Sequence, residues 1–372
     1  MKIPYRQYLI EDFLEILFKI EIESYNRLKL ACFLTKFRSW KEERKTYDLE
    51  RILKNRGIEI ENNGQIQILH GHYWDQQLGK EKPAIFYTYL DSNTGLLFCF
   101  TDEKSEAIEE ILGKNIADVV EGFYYLFIRP NTFDLLSKKI YEENPTFYCN
   151  YFTATHSPEF RLKGATRPNI QRTIQYNGDD AISVLDEVKQ FYGMIPTAIR
   201  YVLPGLGSYQ VKNTGIFMLS GSNSEEGRRY LLHIADIVLN DVLILKKITD
   251  SVEYHAIPVK TDERTFAVPK MTPIKISFSR KVEFDDAEFL VQSLINNGYA
   301  IFNHVIQKGS LIMSGMLTDS SKNNIFTFDV NSERILIAPL GEPTFDGLLR
   351  LVHTINEKFD SNAVCEVLEE SK

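Results

Sequence analysis

The second half of the chain repeats one order of elements, and this constrains the fold more than any other sequence feature. A strand pattern, an Asp-Asp-Ala triplet that opens a helical pattern, and three or four further strand patterns occur twice, with the triplets at 179–181 and 285–287. Each copy closes in a helical pattern where a glycine precedes a histidine by six positions. These pairs are Gly227 with His233 and Gly347 with His353. The recurrence predicts two similar units, over 170–250 and 270–360.

Each unit has the order β-α-β-β-β(-β)-α. Two such units side by side resemble, in topology, the duplicated saddle fold of the domains related to the TATA-binding protein (TBP-like), over about residues 170–360. The resemblance lies in element order, so it carries over no functional residue. It implies a fold that serves DNA binding and protein assembly equally well, because function depends on the site and not on the fold.

The first 80 residues predict a basic helical unit. Helical patterns are followed by two runs of alternating apolar and polar residues on either side of Asn62-Asn63-Gly64, and these runs predict a hairpin. The helical patterns lie at 9–22, 27–37 and 47–55. Helix, helix, helix, hairpin resembles a winged-helix unit in element order. Strand and helix patterns over 81–160 then predict a further α+β unit. The predicted fold class is therefore α+β, with a winged-helix-like start and a mixed α/β region that contains the two repeats.

The charge of the chain is unevenly distributed. Residues 27–56 hold ten basic and four acidic residues, a net charge of +6, while the rest of the chain carries −14. Such asymmetry predicts contact with a polyanion, DNA or RNA. The candidate nucleic-acid contacts are Lys36, Arg38, Trp40, Lys41, Arg44, Lys45, Lys54 and Arg56. The alternative is a solvated basic helix that Trp40 anchors in the core.

A second candidate site is the run His70-Gly71-His72-Tyr73-Trp74-Asp75. Two histidines at i and i+2 on a strand share one face, and Asp75 offers an oxygen ligand, so the pattern suits a metal site. The alternative is a polar, exposed end of a hairpin strand.

A third candidate is a phosphate site where a strand joins a helix. Its residues are Ser220, Ser222, Ser224, Arg228 and Arg229. Hydroxyl groups at a helix N-terminus beside arginines suit a phosphate. The alternative is an ordinary serine N-cap followed by acidic residues.

Composition excludes several classes of protein. No apolar run approaches the roughly 18–20 residues of a membrane span, and acidic residues soon after the N-terminus argue against a signal peptide. The four cysteines are widely spaced, which argues against a zinc site or disulfides and favours the cytoplasm. We find no catalytic or cofactor-binding motif. The sequence thus predicts no membrane contact and no cofactor, and it favours a protein that is not an enzyme.

The function predicted from the sequence is that of a non-enzymatic accessory or scaffold protein in a larger intracellular complex. Protein partners would dock on the acidic repeats, and DNA or RNA on the basic unit. The alternatives are a metal-dependent hydrolase or nuclease that uses His70, His72 and Asp75, and a purely structural assembly subunit. Usage rich in Ile, Lys and Asn suggests a bacterial source, which fits a role in antiviral defence or a mobile-element system.

Overall fold

The computed structural model is a mixed α+β protein in which every strand pairing is antiparallel. It describes residues 3, 9–19, 27–37, 39–40, 49–118, 120–156, 170–221, 224–251, 254–260, 265–271, 273–307, 312–320, 322–341 and 343–368. For residues 254–260, 265–271, 306–307 and 312 it describes the backbone alone. Among the described helices, none is both long and apolar enough to cross a bilayer.

The first described element is helix α1, and the N-terminal unit, the strands and helices from β1 to β6, follows it. The elements are α1 (Ile10–Lys19), β1 (Leu28–Thr35), α2 (Leu49–Lys54), β2 (Glu59–Asn63), β3 (Ile66–Asp75), β4 (Lys80–Leu90), β5 (Leu96–Thr101), the short α3 (Ser105–Ala107), a π-helix π1 (Ile108–Ala117) and β6 (Phe123–Tyr125). The predicted helices at 9–22 and 47–55 thus contain α1 and α2, and the predicted hairpin is β2–β3.

The predicted helix at 27–37 is wrong, because this segment forms strand β1. All eight of its residues are buried. A strand buried on both faces has a continuous apolar pattern that periodicity does not separate from a buried helix. The winged-helix order is therefore not formed. The hairpin is instead part of a large sheet that has β1 near its centre.

The middle segment extends this sheet. Its elements are α4 (Pro130–Glu143), β7 (Tyr148–His156), β8 (Arg172–Asn177), α5 (Ala181–Tyr192), β9 (Ile195–Leu203), β10 (Gly207–Lys212), β11 (Ile216–Ser220) and α6 (Glu225–Asp250). The sheet has 11 strands in the order β2-β3-β4-β5-β1-β11-β10-β9-β7-β8, with β6 also paired to β1. Helices α4, α5 and α6 pack on one face of the middle strands.

A two-stranded hairpin and the C-terminal unit, from β14 to β19, complete the chain. The elements are β12 (Tyr254–Lys260), β13 (Thr265–Met271), β14 (Ile274–Ser277), α7 (Phe284–Asn296), β15 (Tyr299–Gln307), β16 (Ile312–Asp319), β17 (Ile325–Val330), β18 (Arg334–Pro339), α8 (Gly347–Lys358) and β19 (Val364–Val367). The six strands of the C-terminal unit have the order β15-β16-β17-β18-β14-β19.

The two predicted repeats have the expected element order but different strand arrangements. Strand β8 lies at an edge beside β7, whereas β14 lies between β18 and β19. Their shared triplets are not equivalent either, because Ala181 is the first residue of α5 and Ala287 is the fourth of α7. Acidic residues favour any helix start, so the triplets mark helix starts and not a common fold. The TBP-like pairing is therefore not formed.

A matching pair of units does exist elsewhere in the chain. The N-terminal and C-terminal units share the chain order β-α-β-β-β-β-helix-β, and their first strand lies next to the fifth and the sixth in both. Helix α6 connects the large sheet with the C-terminal unit, because it contacts α1, α4 and β11 as well as α8 and β19 of that unit.

Candidate functional site

A row of mainly polar side chains crosses the large sheet on the face opposite α4, α5 and α6. Lys29 lies opposite Met218, which lies opposite Gln210. Gln210 in turn lies opposite Arg200, and Arg200 opposite Tyr151. Directly paired residues of neighbouring strands point to the same face. The sheet therefore aligns these side chains, although they come from positions up to 189 residues apart in the chain.

Arg200 forms the accessible end of this row. Its guanidinium carbon lies 4.7 Å from the ring centroid of Tyr151, and its Nη2 donates to Gln210 Oε1 at 3.3 Å. Both Arg200 and Tyr151 are half-buried. Burial lowers the pKa of Arg200, and the positive charge of Arg27 lowers it further. Arg27 is exposed and thus lies close enough to add its charge to this end of the row.

Lys29 forms the buried end of the row. It is 6% exposed, and its Nζ donates to the backbone carbonyls of Glu103 and Arg27, the latter at 3.5 Å. Burial lowers its pKa to about 8; Asp102 and Glu103 oppose this shift, while Arg27 and Lys212 add to it. An additional anion at this position would stabilise the charged amine.

We call Arg27, Lys29, Arg200 and Lys212, with Tyr151, the cationic face. Lys212 pairs with Ile216 of β11, and Ile216 pairs with Ala31 of β1. Because Ala31 is two residues from Lys29, the side chains of Lys212 and Lys29 point to the same face. Carboxylates balance part of the charge, since Lys212 Nζ lies 3.8 Å from Glu109 Oε1 and Asp102 and Glu103 lie near Lys29. The arrangement combines several cations with an aromatic ring, which suits phosphates and bases.

The predicted nucleic-acid contacts that the structure describes lie elsewhere. Lys36 pairs with Glu121 at 2.9 Å, and Lys54 with Glu50 at 2.6 Å. Arg56 is exposed after α2. Trp40 is half-buried and packs against the core beneath β1 and α2. Arg38, Lys41, Arg44 and Lys45 lie outside the described residues.

The structure does not bring the predicted metal ligands together. Histidines 70 and 72 share one face of β3, where His70 Nε2 lies 3.2 Å from Glu61 Oε2 and His72 is exposed. Asp75 points to the opposite face, because it is an odd number of positions away. Among the described residues, no group of three His, Cys, Asp or Glu side chains is arranged to hold a metal.

Asp75 has a different set of partners. It is fully buried, its Oδ1 accepts the Gln77 and Leu78 N–H groups at 3.1 Å, and Lys82 and Lys104 lie 3.2 Å from Oδ2. Burial opposes its ionisation, but the hydrogen bonds from Lys104 and Lys82 outweigh this and lower its pKa to about 2. Asp75 thus holds the turn between β3 and β4.

The predicted phosphate site is used to hold helices together. Ser224 is the N-cap of α6 and accepts the Gly227 N–H at 3.0 Å. Ser220 lies on β11, where its hydroxyl donates to the Ser208 carbonyl at 3.4 Å. Ser222 lies outside the described residues.

The two arginines of that site connect α6 with α1. Arg228 is 2% exposed and donates to the carbonyls of Leu17 and Phe18 at 2.9 Å, where a cation suits the C-terminal end of the helix. Arg229 pairs with Glu15 at 2.6 Å and with Glu225 at 2.8 Å.

Comparisons with known proteins match part of this chain. A family model described as a family middle domain matches residues 131–214. An uncharacterized protein of Archaeoglobus fulgidus is 31% identical over 139 residues, which are 37% of this chain and 37% of the archaeal protein. The match thus spans little more than a third of that relative. The family match extends from α4 past β10, and it includes Tyr151, Arg200 and Lys212 of the cationic face.

Proposed function

We propose that this chain is a non-enzymatic accessory protein that binds single-stranded nucleic acid through its cationic face. The observation that supports this proposal is the stacking of Arg200 on Tyr151, in a row that ends at the buried Lys29. Single strands bind to proteins that combine cations along the backbone with aromatic rings for the bases. A sheet face with aromatic side chains is a frequent platform for RNA.

The proposal keeps the prediction that the basic segment contacts nucleic acid, but it assigns this contact to other residues of that segment. Arg27 and Lys29 are the first two basic residues of that segment. They lie beside Arg200 and Lys212, whereas Lys36 and Lys54 are paired with carboxylates. Unpaired or partly paired cations gain most from a phosphate, because they do not first have to leave another anion.

Protein partners in a cytoplasmic complex are part of the same proposal. Strand β15 is at the end of the six-stranded sheet, and it exposes Phe302 and Val305, which are 52% and 56% accessible. An apolar strand at a sheet edge is a template for pairing with another chain. The antiviral-defence or mobile-element role expected from the sequence would require such partners to supply any catalysis.

The test is a fluorescence-anisotropy titration of the full chain with a labelled single-stranded RNA, the matching DNA strand and the DNA duplex, at several salt concentrations. We expect the single strands to bind more tightly than the duplex, with affinity that falls as salt rises. Arg200→Glu should weaken binding about tenfold or more, given about 1–3 kcal/mol for a base stack on a protein side chain. Arg334→Glu, the same charge change on the other sheet, should leave it unchanged. Equal effects of the two variants, or no binding at low salt, would overturn the proposal.

A further inference from the structure

Strand β1 changes its partner halfway along one edge, from β11 to β6. We call this point the fork, and a cavity lies beside it. Residues 28–31 pair with β11, whereas residues 33–35 pair with β6. At the change of partner, the Cys32 N–H donates to the Gly215 carbonyl at 3.0 Å. Strands β6 and β11 therefore separate here. The cavity has a volume of about 390 Å³, within the usual range of ligand pockets of about 300–1,000 Å³.

Three parts of the molecule line this cavity. The N-terminal unit provides aromatic side chains, which include Phe33 and Tyr124, and Phe127 follows it in the chain. The middle segment provides the turn between β10 and β11. The C-terminal unit provides one face of α8, whose side chains three and four positions apart lie together. The cavity is thus a junction of all three parts, and its walls are mainly apolar with a few polar groups.

His353 of α8 is the polar group buried most deeply in the wall. It is 4% exposed, and its Nδ1 shares a hydrogen bond with the Tyr124 hydroxyl. Its ring stacks on Tyr124, with centroids 5.6 Å apart, and lies 5.0 Å from the ring of Phe127. Its Nε2 is buried and has no hydrogen-bond partner among the residues that the structure describes.

The protonation state of His353 follows from its surroundings. Burial lowers its pKa to about 3, and the charge of Arg129 adds to this, so the imidazole is neutral at physiological pH. Burial also raises the pKa of Tyr124 well above its ordinary value, so the tyrosine keeps its proton. A neutral tyrosine hydroxyl can donate to Nδ1 or accept from it, and in the tautomer in which it donates, the imidazole proton lies on Nε2. In that tautomer the wall holds a neutral N–H donor that has no acceptor among the described residues.

The remaining polar groups favour an uncharged ligand. Glu109 and Glu357 line the same cavity, and each has a lysine partner. Lys212 Nζ lies 3.8 Å from Glu109 Oε1, and Lys358 Nζ lies 3.2 Å from Glu357 Oε1. Arg350 also lines it, and Asp346 Oδ2 lies 3.7 Å from its Nη1 and balances its charge, so each of these three charged side chains has a partner of opposite charge. Carboxylates accept hydrogen bonds from N–H groups. A fitting ligand is thus flat, aromatic and neutral, with an acceptor for His353 and a donor for a carboxylate.

We propose that this cavity binds one nucleobase, with the His353 Nε2–H donating to a ring nitrogen or carbonyl of the base. The base stacks in the aromatic wall, and Glu109 or Glu357 accepts from its N–H groups. The proposal rests on the cavity residues and does not require that the cationic face binds a strand. The base can belong to a free nucleoside or to a single strand, since Lys212 of the cationic face already lies beside Glu109.

The test titrates adenosine, guanosine, cytidine and uridine separately into the full chain by calorimetry, and follows the histidine ring nitrogens by ¹⁵N NMR. We expect saturable binding of at least one nucleoside at one site and a shift of the His353 Nε2 signal. His353→Leu should weaken this binding at least tenfold, and Thr354→Leu, which narrows the cavity, should also weaken it. The control His72→Leu removes an exposed histidine and should have no effect.

A second set of titrations separates this site from the cationic face. Arg200→Glu should leave nucleoside binding unchanged, even where it abolishes the binding of a strand. If His353→Leu also weakens the binding of a short single-stranded oligonucleotide, the base comes from the strand; if it does not, the ligand is the free nucleoside. The inference fails if no nucleoside binds and the His353 signal does not move, or if binding depends on Arg200 and not on His353.

Discussion

The N-terminal and C-terminal units place a lysine at the same position of their first strand, but with different partners. Lys29 is the second residue of β1, and Lys275 is the second residue of β14. Opposite Lys275, strand β19 supplies Glu366, whose Oε1 lies 2.5 Å from the lysine Nζ. Opposite Lys29, strand β11 supplies Met218. The C-terminal lysine therefore has a carboxylate on the neighbouring strand opposite it, and the N-terminal lysine has a methionine there.

Strand length explains this difference. Strand β14 has four residues, and β19 pairs with all of them. Strand β1 has eight, and β6 pairs with the last three, which leaves the first four free to pair with β11. A longer first strand thus joins its unit to a second set of strands. The same extension creates the fork and places the N-terminal lysine among the cations of the middle segment.

The largest expected effect is on the fork itself. Gly215 has a φ of +76°, and a side chain there would meet Leu126 Cβ at 2.8 Å and the Cys32 carbonyl at 3.0 Å. Gly215→Val should lower the free energy of unfolding by about 3 kcal/mol, from backbone strain and overpacking together. Gly298→Ala, at φ +89° with no atom within 4 Å, is the control and should cost about 1 kcal/mol. Chemical denaturation measures both; equal losses would show that the fork is not tightly packed.

The next effect is the pH dependence of stability. Because the pKa of Lys29 is lowered to about 8, the folded protein loses this proton before the unfolded chain does. The unfolded state then binds more protons, so stability from this residue rises with pH from about 8 to the unfolded value near 10.4, by roughly 2–3 kcal/mol. Lys29→Met should remove this rise, while Lys275→Met should keep it. Urea denaturation from pH 7 to pH 10.5 distinguishes them, and identical curves for the two variants would contradict the comparison.

A smaller effect is expected when β11 is made to resemble β19. Met218→Glu places a carboxylate opposite Lys29, as Glu366 lies opposite Lys275. Binding of single-stranded RNA should weaken about tenfold, or 1.4 kcal/mol, because the lysine then has an anion of its own. Met218→Gln has the same size without the charge and is the matched control. If both variants bind RNA equally, the charge of Lys29 does not contribute to binding.

The smallest effect is expected from the reverse change in the C-terminal unit. Glu366→Gln removes the partner of Lys275, and a partly exposed pair of this kind contributes about 0–1 kcal/mol. Thermal denaturation should therefore show a small loss of stability that decreases as salt is added. A loss as large as that of Gly215→Val would mean that the lysine position, and not the fork, determines the stability of these units.

The sequence predicted those elements whose signals are local. The amphipathic pattern of α1 and the Asn-Asn-Gly turn of the β2–β3 hairpin each depend on a few neighbouring residues. The helix predicted at 27–37 was wrong because a central strand is apolar on both faces. The repeated Asp-Asp-Ala triplets did not indicate two units of the same fold, because helix starts carry the same acidic residues in different folds.

The cationic face could not be predicted from the sequence, because strand pairing brings its residues together. Lys29 was recognised as basic, but its neighbours Arg200 and Lys212 reach it through the pairing of β1, β11, β10 and β9. No local pattern gives the order of strands in a sheet. Conversely, the pairing of Lys36 with Glu121 joins residues 85 positions apart, so its neutralisation was equally hidden.

Helix α6 has a consequence for how the molecule melts. Its 26 residues form a rod of about 39 Å, and both sheets rest on it through α1, α4 and β11 at one side and α8 and β19 at the other. Loss of either sheet would leave an apolar flank of the rod in water. Both sheets should therefore denature together, as a single calorimetric peak with one shared midpoint and no stable half-molecule.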